Sequence, residues 1–191
     1  MKPEQIKALE YFKQKGTLLP ARHIHERVRT AFAATEEFLA GVSESEARQR
    51  PAQGEWCVQE VVDHLVESHR PSVEELRCLL CGERPKDGPV PASLQSRAPL
   101  DRPWPELVGE LKRLHAEALG LLAGAPEGFP SGAKAPIVMV LNVKNPDGSE
   151  SPLHWVEDLD WKAYSAVIFR LHEIDHLNQA KRALNAARGE A

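Results

Sequence analysis

Apolar residues recur at helical spacing along most of this chain. After Pro20, the positions Ile24, Val28, Ala31, Phe32, Thr35, Phe38, Leu39 and Val42 form one stripe, which predicts an amphipathic helix. A shorter helix with Ile6, Leu9 and Phe12 on one side precedes it and ends near Gly16. A second long helix is predicted from about Trp56 towards Gly82, with Cys57, Val61, His64, Leu65, Ser68, Val73, Leu76 and Leu79/Leu80 inward. Pro71 interrupts it, and the missing backbone donor predicts a kink or a restart. Six prolines between 85 and 105 mark an extended crossover.

A third helix follows, with Asp101 as its cap, Pro103 early in its first turn and Leu107, Leu111, Leu114, Ala118, Leu121 and Leu122 inward, stopping near Gly124. Residues 137–143 are β-rich, and Asn145-Pro146-Asp147-Gly148 fits a type I turn, so a small hairpin or extended excursion is expected there. The last helix starts between Pro152 and Asp160 and runs to about Arg188. Its expected inward line is Tyr164, Ile168, Leu171/His172, Asp175/His176, Gln179 and Ala183. Four long helices with two long connections predict an all-α four-helix bundle, one domain over 1–191.

Composition narrows the function classes. The chain has 191 residues, 42% hydrophobic and 27% charged, an ordinary balance for a globular domain and not for a disordered one. Lys and Arg number 24 against 28 Asp and Glu, a net charge of −4 with the signs well mixed, so no basic stretch offers a footprint for nucleic acid. No apolar run approaches the ~18–20 residues of a membrane helix. The charged start MKPEQIKALEYFKQKG has no apolar core of a secretory signal. Three cysteines, Cys57, Cys78 and Cys81, are too few and too clustered for a secreted disulfide framework, and a cytoplasmic location is expected. Cys78 and Cys81 form a C-x-x-C without the βαβ context or partner pair that redox or zinc chemistry needs.

The unusual count is eight histidines. His172 and His176 lie four apart on a strongly helical segment, which stacks both imidazoles on one face where they can chelate one divalent metal. They sit in the apolar line, with Leu171 and Leu177 beside them and Glu173, Lys181 and Arg182 further round. The competing reading is a pair of partly buried histidines hydrogen-bonded across the bundle. His64 stands where the second helix needs a core residue. A lone inward histidine reads first as a satisfied core group, but here it would face a bundle that also holds the H-x3-H pair. Three neutral imidazoles would leave coordination positions open for water or substrate. A ferritin-like di-iron centre needs several carboxylates among its ligands, which three histidines do not supply.

The segment Gly54-Glu55-Trp56-Cys57-Val58-Gln59-Glu60-Val61-Val62-Asp63-His64-Leu65, with His172-x-x-x-His176-x-x-Gln179 far downstream, resembles the DinB/YfiT-like superfamily over roughly residues 20–188. The resemblance implies a four-helix bundle, usually dimeric, with a divalent metal (nickel, zinc, manganese or iron) on three histidines, here His64, His172 and His176. It also implies a small-molecule substrate, since such proteins include S-transferases using low-molecular-weight thiols, a thiol-dependent maleylpyruvate isomerase and many described only as metal-dependent hydrolases. The expected function is therefore activation of a water or a thiol by the metal. The alternative is a non-catalytic, stress-associated metal-binding bundle. Pro71 and the strand-like insertion 133–152 depart from the pattern; the insertion would form a rim or lid over the pocket.

Other polar residues are weaker candidates. Gln179 shares the face of His172 and His176 and would orient a water or ligand, or serve as a core amide. Glu60, one turn before His64, would act as a base or accept a hydrogen bond from a ligand imidazole, or simply solvate the surface. Asp63 and Asp175 adjoin proposed ligands but point about 100° away on a helix. His23, His25, His69, His115 and His154 read as surface or core filler, and Trp56, Trp104, Trp155 and Trp161 as packing anchors.

Overall fold

The computed structural model describes residues 1–144 and 147–189. It is mostly helical, with one two-stranded antiparallel sheet. The helices are α1 (Pro3–Phe12), α2 (Ala21–Ala40), α3 (Glu44–Ala47), α4 (Val58–Leu80), α5 (Trp104–Ala123), α6 (Trp161–Ala166) and α7 (Glu173–Arg188). The strands are β1 (Ala135–Lys144) and β2 (Glu150–Leu159). α4 packs against α5 and α7, and α2 against α5 and α7. The inward faces of these helices, with Phe32, Leu65, Leu76, Leu107 and Leu111 almost wholly buried, make one core. Each such side chain stabilises the fold by about 1.5–3 kcal/mol through the water it leaves.

Several expectations need correction. The hairpin expected before the last helix is present, with two ten-residue strands paired from Ala135 with Leu159 to Lys144 with Glu150, so the chain is mostly helical and not strictly all-α. From residue 139 on, β1 alternates as a half-covered strand should: Met139 and Val143 are buried, Val140 and Asn142 exposed. Of the expected turn, Asn145 and Pro146 lie outside the described residues; Gly148 has φ +83°, a conformation that suits glycine.

Pro71 does not break α4, which runs continuously through it for 23 residues. The Ser72 hydroxyl donates to the Ser68 carbonyl at 2.8 Å, and the Ser68 hydroxyl to that of His64. Asp101 does not cap α5; Pro103 is its N-cap, and Pro105 occupies the first turn, where a missing N–H costs no helical bond. Trp56 lies before α4 and not within it.

The last helix is not one uniform α-helix. A π-helical turn, Val167–His172, separates α6 from α7. Asp160 caps α6, its carboxylate accepting from the Lys162 and Ala163 N–H groups at 3.0 Å and from the Thr17 hydroxyl at 2.5 Å. From within the π turn onward the buried stripe is Phe169, Glu173, Leu177, Ala180 and Leu184. The step from Tyr164 to Phe169 is five residues, so the extra residue of the π turn rotates the stripe relative to uniform 3.6-residue spacing. Asp175, expected inward, is exposed, and Glu173, expected further round, is fully buried. A second π-helical turn, Lys13–Thr17, follows α1. It brings Gly16 against α6 so closely that a Cβ there would lie 2.6 Å from the Ala163 Cα.

Candidate metal centre

His64 reaches the interior from α4, and His172 and His176 from the end of the π turn and the first turn of α7. The three offer ring nitrogens that all lie within 4.8 Å of one another. His64 Nε2 and His172 Nε2 face each other at 2.9 Å. The ring centroids of His176 are 4.4 Å from those of His64 and 4.5 Å from those of His172. His64 is buried, whereas His172 and His176 are partly exposed.

The far side of each ring decides what the near side offers. The His64 Nδ1–H donates to the Leu94 carbonyl at 2.7 Å, and the His176 Nδ1–H donates to Gln179 Oε1 at 2.8 Å. Both tautomers therefore leave the Nε2 lone pair free to bind a cation. Burial, reinforced by repulsion from His176, pushes the His64 imidazole down to about 4. Burial also lowers His176, and burial with the neighbouring imidazoles holds His172 well below its ordinary value. The three rings are thus neutral at pH 7, the protonation state a ligand requires. This donor set fits a divalent ion with open positions better than a closed structural site.

The histidines border a cavity of about 540 Å³. Its opposite wall is largely β1, including Ile137, Met139 and Leu141, so the insertion does cover the pocket. His154 also lines it. At another part of the wall Tyr164 donates a short hydrogen bond to Glu75. The Trp56 indole packs over His64 and His176, with centroids at 5.3 and 6.3 Å, which gives this anchor a place beside the triad.

Of the weaker candidates, Gln179 contacts a triad ring directly. Glu60 does something else: its carboxylate accepts from the Cys57 N–H at 2.9 Å and pairs with Arg50 at 2.5 Å, closing the N-terminus of α4. Asp63 is fully buried and holds the crossover, accepting from the Ser96 N–H and hydroxyl, each at 2.8 Å, and from Arg102 at 3.3 Å.

Two features were not legible in the pattern. The Leu94 carbonyl carries no side-chain signal, because any residue supplies it. His69 and His115, read as filler, are buried together with Glu173 in a second cluster. Their positions 69, 115 and 173 share no local spacing, and only the packing of α4, α5 and α7 brings them together.

A comparison with curated proteins found no match. A family model of the DinB superfamily matches residues 27–157, from α2 into β2, and so includes His64 but ends before His172. The match spans more than half of the chain and agrees with the tryptophan–histidine pattern that leads into α4. On these grounds the chain belongs to the DinB superfamily.

Proposed function

We propose that this chain is a metal-dependent enzyme in which His64, His172 and His176 hold a divalent cation, nickel, zinc, manganese or iron, and the adjoining cavity admits a small substrate. The observation that carries this reading is the convergence of three neutral imidazoles within 4.8 Å at the wall of a cavity of about 540 Å³. A cation on such a set lowers the pKa of a water or thiol and stabilises the anion that develops, which suits hydrolysis or low-molecular-weight thiol S-transfer. The chain's own groups then do the rest. Leu94 and Gln179 fix the two ring orientations, and Glu60 secures the start of the helix that presents His64. β1 excludes bulk water with apolar side chains, which strengthens every charge interaction inside.

In the same reading, residues 1–191 are one domain whose four long helices form a DinB-type bundle, and the chain works as a homodimer in the cytoplasm. No helix among the described residues is long and apolar enough to cross a membrane.

The test is metal analysis of the purified protein and of His64→Ala and His176→Ala. Each variant should hold one equivalent of metal less than wild type while keeping its helical signal. Metal content unchanged from wild type in both variants would sink the assignment. With metal bound, thiol-conjugation and ester- or amide-hydrolysis screens choose between transferase and hydrolase; no turnover in either would leave a metal-binding, stress-associated protein.

A further inference from the structure

Next to the triad lies a second, buried polar cluster, with the His69 ring centroid 6.2 Å from that of His172. His69 of α4 and His115 of α5 are each 1% exposed, and Glu173 of α7 is 0% exposed. All three offer ligand atoms within 4.8 Å of one another. The bland reading is a buried ion-pair cluster, and the hydrogen bonds argue against it. Both oxygens of Glu173, both ring nitrogens of His69 and Nε2 of His115 have no hydrogen-bond partner. Burying a carboxylate without a hydrogen bond is unfavourable, and here only the attraction of His115 and His69, each at 3.5 Å, offsets its lost hydration.

The distances add a second argument. Glu173 Oε2 stands 3.5 Å from His69 Nε2, and Glu173 Oε1 stands 3.5 Å from His115 Nε2. Charge-assisted hydrogen bonds close to about 2.7–2.9 Å. His115 shows that this cluster can make one, since its Nδ1 lies 2.9 Å from Glu36 Oε1. A gap of 3.5 Å is instead close to the edge of a coordination tetrahedron. With metal–nitrogen bonds of about 2.0–2.1 Å and metal–oxygen bonds of about 2.0–2.2 Å, neighbouring ligand atoms lie roughly 3.3–3.5 Å apart.

The outer contacts fit as well. The His115 Nδ1–H donates to the Glu36 carboxylate, which turns the Nε2 lone pair inward in the carboxylate–histidine–metal arrangement. A face-to-face stack on Phe32, with centroids 3.8 Å apart, holds that ring in place. A divalent charge would be balanced by the two carboxylates of Glu173 and Glu36.

We propose that His69, His115 and Glu173 form a second, buried divalent-cation site of the zinc type, separate from the triad, with two imidazole nitrogens and the Glu173 carboxylate as donors. Its ligands come from α4, α5 and α7, and Glu36 joins it from α2, so one ion ties the four long helices together. Its role is structural, since ligands that are 0–1% exposed leave a substrate no way in.

Because the cluster is enclosed, the cation enters as the chain folds. The full chain is therefore refolded with excess zinc, passed over a chelating resin and analysed for metal. Wild type should retain two equivalents and His64→Ala/His176→Ala one, and adding His69→Ala should remove the last. Refolded with cobalt, the double variant should show the strong visible absorption of a tetrahedral ion. Glu36→Gln leaves the ligands and the ring stack intact, so it guards against misfolding in the triple variant; it should weaken the remaining ion about 10–100-fold. A double variant that folds but holds no zinc overturns the site, as does zinc retained without His69. The two assignments fail separately. One equivalent lost on His69→Ala but not on His64→Ala upholds this site and sinks the triad, and the reverse pattern sinks this site alone.

Discussion

Glu75 shows how single residues set the properties of the pocket wall. Its carboxyl is 7% exposed, accepts the Tyr164 hydroxyl, and feels the charge of Asp87 from the crossover. Burial raises it above the ordinary value of 4.5, the Tyr164 hydrogen bond lowers it, and Asp87 raises it further, with a net rise. The folded state therefore holds this proton more tightly than the unfolded chain. The resulting stabilisation is complete below pH 4.5 and is lost as pH rises through the raised value. Glu75→Gln keeps an acceptor for Tyr164 and should flatten that part of the pH dependence, measured as denaturation midpoints between about pH 4 and 8. Glu75→Ala strands the tyrosine hydroxyl and should cost about 1–3 kcal/mol. An unchanged slope in Glu75→Gln would assign the pH dependence to other groups. Tyr164 stood on the expected inward line, but its pairing with Glu75 was not legible in the sequence, since the two are 89 residues apart.

At the scale of elements, the crossover and the π turn position the triad. The first turns of α4 bury polar residues as well as apolar ones because residues 94–102 lie over them. Gln59 donates to the Pro99 and Arg102 carbonyls at 2.9 Å, and Gln95 donates to the Glu60 carbonyl at 2.9 Å. Asp63 anchors Ser96, two residues from the carbonyl that orients His64. Asp63→Ala should therefore lower metal affinity at the triad about 10–100-fold without loss of helical signal. Equal affinity in isothermal titration would mean that Leu94 keeps its place without Asp63. The sequence placed His64 correctly on an inward stripe. It could not show the crossover folding back onto that helix, because a proline-rich segment carries no periodic pattern to orient it. The π turn was equally hidden. A uniform helical period puts Asp175 inward and Glu173 outside, and one extra residue in the turn reverses both.

For the whole molecule, cation binding and folding are linked. An ion held only by the native state stabilises it by RT ln(1 + [L]/Kd), about 2.7 kcal/mol at one hundred times Kd. For a chain of this size that corresponds to a rise in Tm of roughly 5–11 °C. The rise should appear with the cognate metal in thermal melts and vanish with a chelator. His176→Ala should show a smaller rise, and no shift in wild type with any of the four metals would count against the triad. Subunit association belongs to this scale too. Val140 and Val156 of the hairpin are 40% and 55% exposed, and light scattering on the purified chain tests the proposed dimer.

The sequence by itself determined the long helices, the hairpin and the H-x3-H pair with an inward His64, because all of these rest on local periodicity and on residue chemistry. It also carried the family resemblance through the residues around Trp56 and His64. Only the tertiary structure decided which nitrogens face each other, that a backbone carbonyl orients His64, and that Glu173 joins His69 and His115. Those contacts join residues 30 to 108 positions apart. Their geometry depends on how helices pack and where one turn takes in an extra residue, and a local pattern records neither.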